Sequence, residues 1–378
     1  MISSKHISTT NRSRKVIQTL ITVACLLVVG STSFAQQAAT PTQSAGKLIE
    51  IKVPAPSLKG NLLGDPTEQD VAIYLPPSYE SAPARRYAVL YLLHGFIGSN
   101  KMWTSNEFNL QVLMNDMIGK GKVPEMIVVG PNGWNSYKGA FYTNSIVNGN
   151  WEDYIYRDVV QYIDSHYRTL ARVESRGIAG HSMGGYGALT LAMKHPDVFG
   201  AVYALSPCCL GIEGDFSAEN PAWLPTLRLT SKEQLDKPPK SFGEFYQMAF
   251  VALAAALSPN PSHTPLLVDL PYRERNGQVE KNEPVYEQWR SKMPVYMVED
   301  NKSNLLKLRG IFFDYGQNEE FSHIKIATQQ FSKALSDRSI PHVFEIYEGG
   351  THSSKIRRRV ETHLLPFFAE KLDFGSPN

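Results

Sequence analysis

Between a strand-like stretch at 176–179 and a helical one at 187–194, the chain reads Gly180-His181-Ser182-Met183-Gly184-Gly185. Glycines around a serine at this spacing suit a tight turn that lifts the hydroxyl clear of the backbone. Such a turn needs a strand to enter it and a helix to leave it. The geometry aims the N–H of Met183 at a developing oxyanion, near the positive end of the following helix. The motif is short, and its weight comes from those flanking elements. It also constrains the fold, because the strand has to lie inside a mostly parallel sheet with helices on both faces.

The remaining sequence keeps that rhythm. Runs at 70–75, 87–93, 125–129, 198–205, 310–313 and 342–347 read as strands. The run 87–93 (YAVLYLL) is continuously apolar, as a strand buried on both faces should be. A helix is expected over about 151–166, with Tyr154, Ile155, Val159, Tyr162 and Ile163 on one face, and another near 361–371. Strands alternating with helices predict an α/β fold with a parallel sheet. One catalytic domain is expected over 47–378. The segment 211–301 breaks the alternation, and its one strongly apolar piece is 245–257 (FYQMAFVALAAAL). An insertion this long between sheet strands predicts a cap over the site.

The N-terminus reads as an address. Residues 1–15 are polar and basic, an apolar run follows at 16–29, and Ser33 and Ala35 stand before Gln36. This layout predicts a secretory signal peptide over 1–35, followed by a flexible linker at 36–46, and hence a secreted or periplasmic protein. The apolar run is shorter than the roughly 20 residues of a spanning helix, so no stable membrane association is expected after cleavage. The whole chain carries 38 Lys+Arg against 36 Asp+Glu. Lys5, Arg12, Arg14 and Lys15 all fall before residue 36, with no acids, so 34 basic residues then face 36 acidic ones, a net −2. That balance gives no reason to expect a nucleic-acid partner. Cys208 and Cys209 would be the remaining cysteines, read as two buried thiols behind a strand. No metal-type spacing is visible, and no metal or cofactor is implied.

A serine hydroxyl needs a base, and an elbow of this kind requires the chain order serine, acid, histidine. Of the histidines after Ser182, His352 directly follows the last strand in Glu348-Gly349-Gly350-Thr351-His352. There the paired glycines let the loop curl over the sheet edge. His195, His263, His323, His342 and His363 sit at helix ends, in helices, in the insertion or at a strand start. The acid should follow the strand at 310–313, where Asp314, Glu319 and Glu320 are all candidates that spacing does not separate. The second oxyanion donor is expected in His94-Gly95-Phe96, from the Phe96 N–H, with His94 supporting that loop.

With these residues in place, the chain resembles the putative-esterase family of α/β-hydrolases, which holds feruloyl and acetylxylan esterases, S-formylglutathione hydrolases, siderophore esterases and mycolyltransferases. The matching runs include Tyr91-Leu92-Leu93-His94-Gly95, Pro131-Asn132-Gly133, Phe141-Tyr142-Thr143-Asn144-Ser145 and Trp151-Glu152-Asp153-Tyr154. They continue through the elbow, His195-Pro196-Asp197 and Gly349-Gly350-Thr351-His352. The resemblance covers about 50–210 and 305–370. It implies an α/β-hydrolase fold and an acid three residues after Gly316, which favours Glu319. Together with the expected export, it implies a secreted serine carboxylic-ester hydrolase acting on a small-molecule or polysaccharide substrate, an acetyl or hydroxycinnamoyl ester of a carbohydrate. The alternatives are an acyltransferase of the mycolyltransferase type and an S-formylglutathione hydrolase-like thioesterase. A non-catalytic binding module would be expected to lose the serine, histidine or elbow glycines, which are all present. Related esterases tend to carry an aromatic residue soon after the histidine. Here Ser353-Ser354-Lys355-Ile356 follow, then Arg357–Arg359, read as a solvated helix start. That departure speaks against a feruloyl-type aromatic pocket.

Overall fold

A computed structural model describes residues 45–375. The expected signal peptide lies outside the described residues, as does the expected linker except for Ala45 and Gly46. Gly46 is held at both ends of its backbone unit, since its N–H donates to Asn115 Oδ1 and its carbonyl accepts from Gln111 Nε2, both at 2.8 Å.

Eight strands form the central sheet: β1 (Lys47–Pro54), β2 (Glu68–Leu75), β3 (Ala88–Leu93), β4 (Met126–Pro131), β5 (Arg176–His181), β6 (Ala201–Leu205), β7 (Gly310–Gly316) and β8 (Val343–Tyr347). Their order is β1-β2-β4-β3-β5-β6-β7-β8. The contacts β1–β2 and β2–β4 are antiparallel, and all the others are parallel. Every residue of β3, β4, β5 and β6 is buried, which explains the unbroken apolar runs. β1 is largely exposed, with Val53 its one buried residue, and carries no clear signal in the sequence.

Six main helical segments flank the sheet: α1 (Leu110–Gly119), α2 (151–166), α3 (Met183–Lys194), α4 (Phe242–Leu257), α5 (Ser322–Ser336) and α6 (356–371). One core cluster lies on the face carrying α2, α3, α4 and α5, and a second packs α1 and α6 on the opposite face. Asn109 caps α1 by accepting from the Val112 N–H, and Ser241 caps α4 by accepting from the Glu244 N–H, both at 3.2 Å. Among the described residues, no helix is long and apolar enough to cross a membrane.

Two sequence expectations change in detail. In α2, Tyr154, Ile155, Val159 and Ile163 are buried, but Tyr162 is only partly so and stacks on His166 at 4.0 Å. A π turn over Tyr154–Val159 adds residues to one turn and rotates the rest of the helix, so the 3.6-residue phase no longer applies. Arg359, expected on a solvated helix start, is buried in α6. It reaches Asp314 Oδ2 at 2.6 Å and Glu345 Oε2 at 2.7 Å.

The 211–301 segment leaves β6 and returns to β7, its immediate neighbour in the sheet, where Ala201 pairs with Gly310. It contains α4, a hairpin of Tyr272–Arg275 and Gln278–Lys281, and several short helices. Ten of the sixteen residues of α4 are buried. The helix therefore belongs to the core as well as to one wall of the site.

Candidate active site

β5 ends at His181, and Ser182 takes φ 57° and ψ −116° before α3 begins at Met183. This left-handed, strained backbone is unusual for a residue with a side chain, and such strain persists only where the surroundings enforce it. Enforcement comes from three hydrogen bonds. The Ser182 N–H donates to the Leu205 carbonyl at 2.9 Å, and the Ser182 carbonyl accepts from Tyr186 and Cys208 at 3.0 and 3.2 Å. Close backbone approach requires the flanking glycines, because a Cβ on Gly180 would stand 2.2 Å from the Gly184 carbonyl oxygen.

The loop after β3 runs beside this turn. A Cβ on Gly95 would stand only 3.4 Å from Ser182 Cβ. His94 fixes the loop from below. Its Nε2 accepts from the Gly133 N–H at 2.7 Å, so the proton sits on Nδ1, which donates to the Gly95 carbonyl at 2.9 Å. The N–H groups of Phe96 and of Met183, the first residue of α3, have no acceptor among the described residues.

The acid candidates separate by environment. Glu319, 2% exposed, accepts from His352 Nδ1 at 2.9 Å and from the Phe321 N–H at 3.2 Å. Glu320 instead accepts from the backbone N–H of His352 at 2.8 Å. Asp314, still inside β7, is bonded to Tyr203 at 2.6 Å and to Arg359. The loops carrying Glu319 and His352 are joined along the backbone. Gln317 N–H donates to the Tyr347 carbonyl, and Asn318 N–H to the Gly350 carbonyl, both at 2.8 Å. A third tie comes from His181, whose Nε2–H donates to the His352 carbonyl at 2.9 Å. With Nδ1 engaged, His352 keeps Nε2 for the cavity that it lines together with Ser182.

His181 and His94 are neutral for the same reason. Burial lowers His181 to about 3, helped by the nearby His352, and lowers His94 to about 4. Each binds its proton near 6.5 when unfolded, so the unfolded chain holds more protons in the window between. Their contribution to stability is complete above pH 6.5 and is lost as pH falls towards 4 and 3. Asp314 works the other way. Burial, opposed by Arg359, raises it to about 6, so the folded state binds its proton first and regains some stability on acidification. These three groups together are expected to cost stability on the order of 4 kcal/mol between pH 7.5 and pH 4. Urea midpoints at the two pH values check it, and an unchanged or higher midpoint at pH 4 contradicts it.

The cavity measures about 640 Å³. Its walls include Phe96, Phe141, Phe216, Phe245, Tyr246 and Phe321. The departure after His352 therefore does not leave the cavity without aromatic walls. The rings come not from the segment after His352 but from the loop before α5, the β3 loop, the segment after β4 and the insertion. Cys208 and Cys209 are buried free thiols 2.8 Å apart, and they too line the cavity. His195, His263, His342 and His363 do not. His323 does, and its partner Asp215 lies 108 positions away in the insertion, so no local signal connects the two. Among the described residues, no group of three or more His, Cys, Asp or Glu side chains is placed to hold a metal ion.

A mostly parallel eight-stranded sheet flanked by helices, with a strained serine at a strand–helix turn, defines an α/β-hydrolase of the esterase type. The Putative esterase family model matches residues 66–359, and the chain belongs to that family. It is 33% identical over 129 residues to an esterase of Mycobacterium tuberculosis, covering 33% of this chain and 26% of the relative. The chain thus spans about a quarter of the length of the curated relatives it matches. Among solved structures, a ferulic acid esterase superposes with TM-score 0.60 at 22% identity, covering 87% of this chain and all of the other. An S-formylglutathione hydrolase from Agrobacterium tumefaciens gives 0.56 at 18% identity, covering 87% and 96%. At such identities the likeness speaks to the fold.

Proposed function

We propose that the chain is a serine carboxylic-ester hydrolase in which Ser182, His352 and Glu319 form the catalytic triad. The observation that carries this reading is the imidazole of His352 hydrogen-bonded to the buried Glu319 on the wall of the cavity that also holds Ser182. Ser182 Oγ attacks the ester carbonyl while His352 Nε2 takes its proton. Glu319 keeps the proton of His352 on Nδ1 and stabilises the imidazolium. The N–H groups of Met183 and Phe96 receive the oxyanion, each worth on the order of 3 kcal/mol. Collapse of the tetrahedral adduct breaks the bond to the alcohol, which leaves with the proton from Nε2. Water, deprotonated by the same nitrogen, then attacks the acyl-enzyme and frees Ser182.

The preferred substrates are carbohydrate esters with a hydroxycinnamoyl rather than an acetyl group. The size and the aromatic walls of the cavity support this choice, because an acetyl group would leave most of it unfilled. Export by the N-terminal signal sequence belongs to the same proposal, since such esters lie outside the cell.

The test is hydrolysis of a short-chain aryl ester by the protein lacking residues 1–35, beside a fluorophosphonate label mapped by mass spectrometry. Turnover with the label on Ser182 is the expected result. A label without turnover would point to an acyltransferase lacking its acceptor. The absence of both label and turnover would overturn the reading.

A further inference from the structure

His323 is the second residue of α5, just after the loop that carries Glu319 and Phe321. Its side chain is more than nine-tenths buried, yet it lines the active-site cavity. Asp215 holds it from the insertion, accepting both from the ring Nδ1 at 2.8 Å and from the backbone N–H at 3.0 Å through the same Oδ2. The fit is close, since a Cβ on the neighbouring Gly214 would stand 2.7 Å from the His323 nitrogen. The Phe216 ring lies 4.5 Å from the imidazole and the Phe321 ring 5.7 Å. The other ring nitrogen, Nε2, is buried without a hydrogen-bond partner among the described residues.

A carboxylate accepts and does not donate, so Asp215 fixes the His323 proton on Nδ1. Hydrogen bonding to His323 holds Asp215 well below the ordinary carboxylate range, although burial opposes it. Burial likewise lowers His323, which leaves the ring neutral near pH 7. A neutral imidazole protonated on Nδ1 offers a lone pair at Nε2. A lone pair of this kind, on a buried ring that lines an aromatic cavity, favours a ligand that brings a donor to it, because a ligand without one leaves the acceptor desolvated and unpaired.

We propose that His323 is a specificity-determining residue whose Nε2 accepts a hydrogen bond from a hydroxyl group of the bound ester. This rests on the esterase reading above for the identity of the ligand. It adds a recognition element in which the insertion, through Asp215, sets the polarity of one point on an otherwise apolar wall. The hydroxyl comes from either the acyl or the alcohol half of the ester.

Two matched pairs distinguish these sources. Methyl 4-hydroxycinnamate against methyl cinnamate varies the acyl half, and 2-hydroxyethyl cinnamate against propyl cinnamate varies the alcohol. Calorimetric binding to the Ser182→Ala protein needs no turnover. In one pair, the hydroxylated member is expected to bind about tenfold to a hundredfold tighter. His323→Phe in the same background should abolish that preference. Asp215→Asn, which releases the tautomer without removing the ring, should weaken it.

Equal binding within both pairs, or no measurable binding of any, overturns the inference without recourse to a variant. A preference that survives both substitutions overturns it as well. A preference in binding alongside a Ser182 protein that hydrolyses none of the four esters would sink the esterase reading instead and leave the recognition site standing.

Discussion

Replacing Ser182 or His352 by alanine is expected to lower kcat by about a millionfold, and replacing both should cost little more, because the members of a triad act as a unit. Glu319→Gln should cost about ten-thousandfold, since an amide offers the imidazole the wrong partner for the required tautomer. The informative contrast is with its neighbour. Glu320 accepts from the backbone N–H of His352 and not from the ring. Glu320→Gln keeps an acceptor oxygen and should retain most of the turnover. Steady-state rates on one aryl ester, with folding checked by circular dichroism, decide the matter. A Glu320→Gln loss as large as that of Glu319→Gln would contradict the assignment.

The second large effect concerns stability. Asp314 is fully buried and paired with Arg359, itself tied to Glu345 and Tyr203. One oxygen of Asp314, Oδ1, has no partner among the described residues. Arg359→Ala strands this carboxyl with the Tyr203 hydroxyl, and removal of one member of a buried pair costs about 3–5 kcal/mol. Asp314→Asn combined with Arg359→Met removes both charges and should recover most of that loss. Urea midpoints for the single and double variants test this. A single variant as stable as the parent would show that the pair contributes nothing. The folded fraction should keep its turnover, because neither side chain bonds to His352.

Both predictions turn on residues that mark where sequence reading stops. Ser182 and His352 stand in motifs whose glycines are local, so a strand end, a turn and a helix start are all visible within a dozen residues. Strands β3 and β4 are visible for a similar reason, because burial on both faces makes them almost wholly apolar. Glu319 and Glu320 are adjacent, and which one meets the ring depends on how the loop after β7 is joined to Gly350. Asp314 likewise looks like an acid at a strand end until Arg359 arrives from α6, 45 positions away. The aromatic cavity is hidden from a local reading because its rings are collected from distant segments. The π turn in α2 leaves no periodic trace at all.

The long excursion between β6 and β7 carries one more consequence. Its two ends are anchored on adjacent strands, and every hydrogen bond described for the His352 loop comes from outside it. The Glu319, Glu320, Gly316–Asn318 and His181 contacts all belong to the sheet's own turns. The proposed bond-breaking groups thus stand on turns outside the excursion, while the excursion adds Phe216, Phe245 and Tyr246 to the cavity wall. Under the proposed function, substitutions in the excursion that preserve its core packing are expected to change which esters enter while leaving Ser182, His352 and Glu319 in register. A library confined to the cavity-facing positions of α4 is accordingly the place to redirect the enzyme.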